Sequence, residues 1–185
     1  MPPKIRITKE DILSTAVEIV RQEGAAALNA RAIASSLHCS TQPIFSNFET
    51  MDVLRAAVIG EADQLCQAYR KQEEEQGKYP PYKANGMAYI RFAKEEKELF
   101  KLLYMRDRTE EYTPEPDEDP QMETIVQHST GLNGTDAKLF HLEMWAYVHG
   151  IAAMFATGYL DLDWELVSQM LTDAYQGLRK QHIME

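Results

Sequence analysis

Residues 29–48 read NARAIASSLHCSTQPIFSNF, which has the spacing of two short helices separated by a tight turn. The first predicted helix covers residues 29–37. Asn29 is its predicted N-cap, because an Asn side chain can accept a hydrogen bond from an unpaired N–H of the first turn. Ile33 and Leu37 lie four residues apart, so both side chains fall on one face of this helix.

A second short helix is predicted over residues 41–47, after a break at His38 and Cys39. Ser40 is its predicted N-cap. Pro43 would be its third residue, where the missing N–H leaves no intrahelical bond unmade. Helix, tight turn and helix with apolar side chains turned inwards is the layout that presents its second helix to the major groove of DNA.

Length and composition indicate a globular protein of one domain or two small ones. The chain has 185 residues, of which 44% are hydrophobic, and this argues against disorder. The two cysteines, Cys39 and Cys66, provide neither a disulfide framework nor a paired metal motif, so a cytoplasmic location is expected. The N-terminal sequence MPPKIRITKED has no apolar run, so no signal peptide is expected.

The acidic charge is unevenly distributed along the chain. The net charge is −10, yet residues 1–50 carry five Lys and Arg against five Asp and Glu. Residues 51–185 therefore hold fourteen basic against twenty-four acidic residues, which is the whole excess. DNA contacts in the N-terminal part would depend on a few cations and on helix N-termini, so modest non-specific DNA binding is expected.

Helices are predicted throughout the chain, and the predicted fold class is all-α. The first covers residues 8–23, with a near capping box between Thr8 and Asp11 and an end at Gly24. Thr50 should cap a long helix over residues 51–76, followed by a breaker at residues 77–81.

The C-terminal part is predicted to contain two helices within residues 82–105 and further helices over 121–130, 136–160 and 164–181. The acidic, proline-containing segment 109–123 is expected to be an exposed loop. The helix over 136–160 is apolar on nearly all sides. His149 interrupts its apolar run and no Lys or Arg flanks it on both ends, which indicates a buried helix rather than a membrane span.

From about Thr8 to Val58 the chain resembles the N-terminal DNA-binding domain of the TetR family of bacterial transcriptional regulators. The resemblance includes the first helix, Leu28, the RAIA of residues 31–34, the segment STQPIFSNF and the helix that opens at Thr50. It implies an N-terminal three-helix helix-turn-helix DNA-binding domain over residues 1–49. It also implies a C-terminal helical ligand-binding and dimerisation domain over residues 50–185.

The resemblance implies that side chains of the second short helix read base edges. Gln42 is chemically the best suited, since its amide can bond an adenine edge in bidentate fashion. Arg31 is the one cation inside the motif and is expected to contact the DNA backbone. The full predicted DNA-binding set is Arg31, Ser40, Thr41, Gln42, Pro43, Phe45, Ser46, Asn47 and Thr50.

The chain departs from the family pattern at three places. Phe45 stands where a Tyr often binds phosphate through its hydroxyl, so Phe45 is expected to serve in packing. Met51 stands where a Lys is common, which removes a phosphate contact. Gln42 and Pro43 replace a small pair, so base preferences cannot be transferred from relatives.

Family members bind a small molecule in a helical core and dimerise through their last two helices. A largely apolar effector, a homodimer and a double-stranded DNA operator are therefore the expected partners, with no membrane. Candidate ligand contacts are Met87, Phe92, Leu103, Met105, Trp145, His149, Met154, Phe155 and Tyr159, and His128 could also orient a ligand. The same side chains could instead be ordinary core.

The predicted dimer interface has two parts. They are the apolar stripe of the last helix from Trp164 to Leu178, and the small residues Gly150, Ala152, Ala153 and Ala156. An intramolecular core is the alternative for the stripe.

The resulting hypothesis is a repressor that binds a palindromic operator as a homodimer and is released by a small-molecule effector. No Gly-rich phosphate loop, HExxH motif or nucleophile elbow is present, so no enzyme activity, metal or cofactor is expected. One alternative is a helical small-molecule-binding protein or enzyme with a vestigial DNA-binding domain. Another is an architectural DNA binder without an effector. Cys39 could be a redox sensor or could simply fill the turn.

Overall fold

The computed structural model describes residues 7–107, 109 and 120–184, and this part of the chain is helical, with no strand. The all-α prediction is confirmed. The elements are α1 Lys9–Glu23, a 3₁₀ turn Ala25–Ala27, α2 Ala30–Ser36, α3 Gln42–Asn47, α4 Met51–Glu75, α5 Pro81–Glu95, α6 Lys97–Tyr104, α7 Pro120–Thr130, α8 Gly134–Thr157 and α9 Trp164–Met184. Most of the predicted acidic loop at 109–123 lies outside the described residues.

The start and end of α1 are fixed by local chemistry, as predicted. The Asp11 N–H donates to Thr8 Oγ1 at 3.1 Å, and the Thr8 N–H donates to Asp11 Oδ2 at 2.9 Å. This reciprocal capping box holds the pKa of Asp11 below its ordinary value, chiefly through the bond from the Thr8 backbone. The helix stops at Gly24, whose φ of +83° is strained for any residue with a side chain.

The first compact unit comprises the described residues up to Leu65 together with Glu96–Arg106. Its core is apolar and is contributed by all the helices of the unit. It includes Ile12, Ala16, Val20, Ile33, Ile44, Phe48, Leu54, Val58, Leu99 and Phe100, each at most 5% exposed. Of the two residues predicted to share the inner face of α2, Ile33 is buried and Leu37 is half-buried. Helix α6 adds a packing partner for α1 that the sequence did not indicate.

The second compact unit comprises Cys66–Glu95 and the described residues after Arg106. Helix α5 lies at its centre and packs against α7, α8 and α9, and α8 also contacts α7 and α9. The ring of Phe140 on α8 is fully buried and lies 5.5 Å from that of Tyr175 on α9 and 5.9 Å from that of Tyr82 on α5. This aromatic contact joins three helices of the unit.

Helix α4 contributes to both units, its residues up to Leu65 to the first and those from Cys66 to the second. The sequence-based boundary between residues 49 and 50 follows the helix starts rather than the contacts, and it stays a prediction. Within the described residues, no helix combines the length and the apolar character that crossing a membrane would require.

Candidate functional sites

The residues predicted to form a helix-turn-helix do so in the first unit. Asn29 caps α2, because its Oδ1 accepts the N–H groups of Arg31 at 3.1 Å and Ala32 at 3.0 Å. The helix ends in a tight turn, in which the Cys39 N–H donates to the Ala34 carbonyl at 2.9 Å. His38 takes a φ of +51° to make this turn.

The predicted cap of α3 is wrong. The helix begins at Gln42, so Thr41, and not Ser40, occupies the N-cap position. Thr41 has helical dihedral angles, φ −73° and ψ −12°, and its side chain makes no capping bond. A capping side chain needs an extended backbone to reach the first-turn N–H groups, and Thr41 does not have that conformation.

Helix α3 buries Ile44 and exposes a mixed surface. The side chains of Gln42, Phe45 and Ser46 are exposed, and that of Phe45 is 50% accessible. Phe45 is therefore not the packing residue that was expected. Ser46 Oγ donates to the Gln42 carbonyl at 2.9 Å, and Asn47 Nδ2 donates to the Pro43 carbonyl at 2.8 Å. Among the described residues the amide of Gln42 has no hydrogen-bonding partner, so both its donor and its acceptor face solvent.

The other predicted DNA contacts surround α3 in the sequence. Arg31 is exposed, and its guanidinium forms no ion pair with any residue that the structure describes. Thr50 is exposed and its Oγ1 accepts the Val53 N–H at 3.2 Å, which confirms it as the cap of α4. Ser40 is exposed, whereas Thr41 and Pro43 are half-buried. The DNA-binding roles of all nine residues stay predictions.

The predicted ligand contacts lie in different surroundings. Leu103 and Met105 belong to the first unit, and the other seven belong to the second. Met87, Phe92 and Phe155 are buried, while Met154 and Tyr159 are exposed. Trp145 and His149 stack on each other with ring centres 5.2 Å apart. Their ligand-binding roles are not tested by this placement.

A cavity of about 1040 Å³ lies within the second unit. Five aromatic side chains line it: Tyr79, Tyr82, Tyr89, Trp145 and Tyr175. Its apolar side chains include Met122, Ile125, Met144, Val148 and Leu171. Of the nine predicted ligand contacts, Trp145 lines this cavity, and His128 does so as well. A concave, mostly apolar cavity with a few polar groups is the usual form of a small-molecule site.

Two tyrosines of the cavity wall are each within hydrogen-bonding distance of a histidine, and of the two histidines His141 also lines the cavity. The Tyr82 hydroxyl lies 3.0 Å from His141 Nδ1, and the Tyr89 hydroxyl lies 2.9 Å from His149 Nδ1. Burial raises the pKa of both phenols far above the ordinary range, so both stay neutral and keep their protons. Burial also lowers the pKa of His149, which favours the neutral imidazole. The donor in each pair depends on the imidazole tautomer.

Most residues of the cavity wall were not predicted from the sequence, although the sequence of α5 contains a pattern that indicates them. Tyr82, Gly86 and Tyr89 have the i, i+4, i+7 spacing of one helical face. A Cβ at Gly86 would lie 3.1 Å from Leu171 Cδ2, so the absence of a side chain there allows α9 to approach. A glycine between two tyrosines on one face indicates close helix contact beside an aromatic wall.

Comparisons with known proteins agree with this architecture. No curated protein sequence matches the chain. A protein of unknown function from Rhodococcus sp. RHA1 has a similar solved structure, with 20% identity, a TM-score of 0.71 and 98% of each chain covered. A TetR-like transcriptional regulator from the same organism has 15% identity and a TM-score of 0.67, covering 100% of this chain and 98% of its own. At these identities the two structures show a shared fold.

The family assignment comes from a sequence match that begins in α5 and ends in α9. The model of the tetracyclin repressor-like C-terminal domain matches residues 82–175, which is 94 of the 185 residues. The match includes α5 and the cavity residues from Tyr82 to Tyr175, and the helix-turn-helix precedes it in the chain. The chain belongs to the TetR family of transcriptional regulators.

Proposed function

We propose that the protein is a ligand-responsive repressor that binds a palindromic operator as a homodimer and releases it when a small molecule binds the second unit. The observation that carries the proposal is the exposed surface of α3, where the amide of Gln42 has no partner among the described residues. The exposed guanidinium of Arg31 on α2 likewise forms no ion pair with a described residue. Exposed amide and guanidinium groups on a helix-turn-helix are the groups that read bases and bind phosphates.

In this proposal three side chains make different contacts with DNA. Gln42 bonds an adenine edge through its amide. Phe45, exposed and without a hydroxyl, contacts a thymine methyl group rather than a phosphate. Arg31 binds a backbone phosphate and adds affinity without sequence preference. The amide of Asn47 already donates to its own helix, which makes Asn47 a weaker candidate for base contact.

We place the dimer interface on the outer face of α8, with α9 beside it. The apolar stripe of α9 that was predicted to form the interface packs largely within the protomer, since Val167 and Leu171 are buried. On α8, Leu139, Tyr147 and Met154 are exposed apolar side chains at heptad-like spacing. Gly150 lies on the same face, and a Cβ there would meet nothing within 4 Å. On α9, Leu166 is exposed. Apolar side chains around a small residue suit a two-fold helix interface.

The cavity of the second unit is the proposed effector site, and α4 is the proposed lever because it continues from one unit into the other. An effector can shift the dimer only by the difference in its affinity for the two states, typically ~1–3 kcal/mol of coupling. That range corresponds to a loss of operator affinity of about 5- to 150-fold.

Selection of bound duplexes from a random DNA pool tests the DNA-binding part. The selected DNA should contain an inverted repeat with half-site centres about one helical turn, ~34–36 Å, apart or a multiple of that. The Gln42→Ala variant should lose about 1–3 kcal/mol of discrimination at one base pair of each half-site. Gln67→Ala changes an exposed glutamine of α4 and is the matched control. Unaltered base preference in Gln42→Ala would remove Gln42 from the reading surface.

Light scattering during gel filtration tests the dimer. Gly150→Arg should convert the dimer to a monomer, because it places a long cation in the proposed interface. Gly60→Arg is the matched control, since Gly60 is also a helical glycine with open space at its Cβ. A Gly150→Arg variant that stays dimeric would place the interface elsewhere.

A further inference from the structure

The cavity of the second unit is lined by cationic side chains, although the protein as a whole is acidic. Three cationic side chains contribute to it, Arg70, Lys78 and Lys83, and no Asp or Glu is among its described lining residues. Residues 51–185 as a whole have ten more acidic than basic residues. The described part of the cavity wall therefore has a net positive charge, whereas the region that builds it is acidic.

The carboxylates of α4 that follow Arg70 are engaged elsewhere. Glu73 Oε2 accepts from Arg91 Nη2 at 3.0 Å, and Glu74 Oε1 accepts from Asn85 Nδ2 at 3.0 Å. Within the part of the chain that the structure describes, Arg70, Lys78 and Lys83 form no ion pair. None of the three cations is therefore neutralised by a direct ion pair with a described carboxylate.

Arg70 has unmet hydrogen-bonding capacity. Its Nε is inaccessible to solvent and has no acceptor among the described residues. A buried donor without an acceptor costs free energy. Arg70 also lines the cavity, so the remaining N–H groups of its guanidinium are the ones that an anion there would meet. The guanidinium group is a planar fork that matches the two oxygens of a carboxylate, so Arg70 is suited to hold one in bidentate fashion.

The two lysines have only neutral partners. Lys83 Nζ donates to Thr172 Oγ1 at 2.8 Å and lies 4.9 Å from the centre of the Tyr79 ring. Lys78 Nζ lies 5.2 Å from the centre of the same ring. Two ammonium groups that share one aromatic ring repel each other, and an anion in the cavity would be attracted by both.

The remainder of the wall selects for an apolar body on the ligand. Trp145, Tyr175, Met144 and Leu171 provide aromatic and aliphatic surface. The cavity volume of about 1040 Å³ slightly exceeds the ~300–1,000 Å³ typical of small-molecule sites. A small inorganic anion would leave most of this surface unfilled.

We propose that the cavity binds an organic carboxylate with an aromatic or aliphatic body, its carboxylate held by Arg70 in the positive field of Lys78 and Lys83. Its body contacts the aromatic wall. Naming this class as the effector rests on the proposed function, whereas the binding itself does not.

Calorimetry on the full-length protein with matched probes tests the inference. The probes are naphthylacetate, naphthylacetamide and naphthylmethylamine, together with octanoate, octanamide and octylamine. The carboxylate of at least one series should bind about tenfold or more tightly than its amide, with the amine weakest, because ion-assisted hydrogen bonds are the stronger ones. Its affinity should also fall as salt is added. Equal binding of the three members, or no binding by either carboxylate, would overturn the proposal.

Neighbouring cations on α4 provide the matched variants. Arg70→Gln should abolish the preference for the carboxylate, whereas Lys71→Gln should retain it, because Lys71 is exposed and does not line the cavity. Lys83→Met is an independent variant. It should weaken the preference for the carboxylate, but less than Arg70→Gln does. Retention of the full carboxylate preference in both Arg70→Gln and Lys83→Met would overturn the assignment.

Operator binding is measured separately, with and without the bound carboxylate. Carboxylate binding that leaves DNA affinity unchanged would support the ligand class and contradict release by an effector. Operator binding by a protein that rejects both carboxylates would contradict the ligand class and leave the DNA-binding function standing.

Discussion

Arg21 Nε on α1 donates to Glu96 Oε2 at 2.7 Å, and Glu96 is the single residue between α5 and α6. The Glu96 side chain is 14% exposed, and this bond is the main reason that the pKa of Arg21 lies above its ordinary value. Arg21 also donates from Nη1 to Glu18 Oε2 at 2.7 Å. Glu96 is the first residue of the segment that returns to the first unit. A partly buried ion pair thus joins the start of this segment to α1.

We expect Arg21→Gln and Glu96→Gln each to lower the free energy of unfolding by about 1 kcal/mol, because the pair lies between the fully exposed and fully buried cases. The double variant should lose less than the sum of the two single losses. Urea denaturation followed by circular dichroism measures all three. Arg55→Gln is the control, since Arg55 and Asp52 form an exposed pair and its loss should have almost no effect. Strict additivity of Arg21→Gln and Glu96→Gln would show that the two residues are not coupled.

A second ion pair lies inside the other unit and should matter more. Arg91 Nη2 donates to Glu73 Oε2 at 3.0 Å, the Glu73 side chain is 2% exposed, and Arg91 lies 5.0 Å from the centre of the Trp164 ring. Glu73→Gln should cost about 3 kcal/mol or more, because it leaves a charged guanidinium without a counter-ion. Glu75→Gln, at an exposed position two residues later, should be nearly neutral. A Glu73→Gln variant as stable as the parent in urea would contradict this account.

The features that were predictable from the sequence are local ones. The caps at Thr8, Asn29 and Thr50 depend on residues two or three positions away, so the sequence contains the whole interaction. The cap of α3 was misassigned because it depends on the backbone angles of Thr41, which residue type does not determine.

The features that were not predicted depend on contacts between helices that are distant in the sequence. Glu73 sits among charged neighbours in the run EEE, and only the position of Arg91 on α5 makes it a buried residue. The cavity likewise needs Lys83 on α5 to meet Thr172 on α9, 89 positions away. Helical periodicity indicates that a face is apolar, but it does not indicate whether that face will be filled by a neighbour or left open as a cavity wall.

The half-buried imidazole of His149 predicts a loss of stability on acidification. Burial lowers its pKa, so below the ordinary value of about 6.5 the unfolded chain binds more protons at this residue than the folded chain does. This contribution to stability is present above that pH and decreases as pH falls towards the folded-state pKa. Melting temperatures at pH 7.5 and 5.5 should therefore differ less in His149→Gln than in the parent.

The Tyr89→Phe variant separates burial from hydrogen bonding at the same imidazole. It removes the hydroxyl 2.9 Å from His149 Nδ1 but leaves the ring in place. Because burial is the cause of the lowered pKa, Tyr89→Phe should keep the pH dependence of the parent. Loss of the pH dependence in Tyr89→Phe, or its full retention in His149→Gln, would assign the effect to another group.

The salt dependence of DNA binding should identify Arg31 as a phosphate contact. Each phosphate neutralised on duplex DNA contributes about −0.9 to the slope of log affinity against log salt, so Arg31→Gln should reduce the magnitude of the slope by about 0.9 per protomer. The loss should be the same on the operator and on unrelated duplexes, because a phosphate carries no sequence information. Arg179→Gln removes the same charge from α9 in the second unit and should leave the slope unchanged. Fluorescence anisotropy over a series of salt concentrations measures both variants, and parallel lines for Arg31→Gln and the parent would exclude Arg31 from the contact.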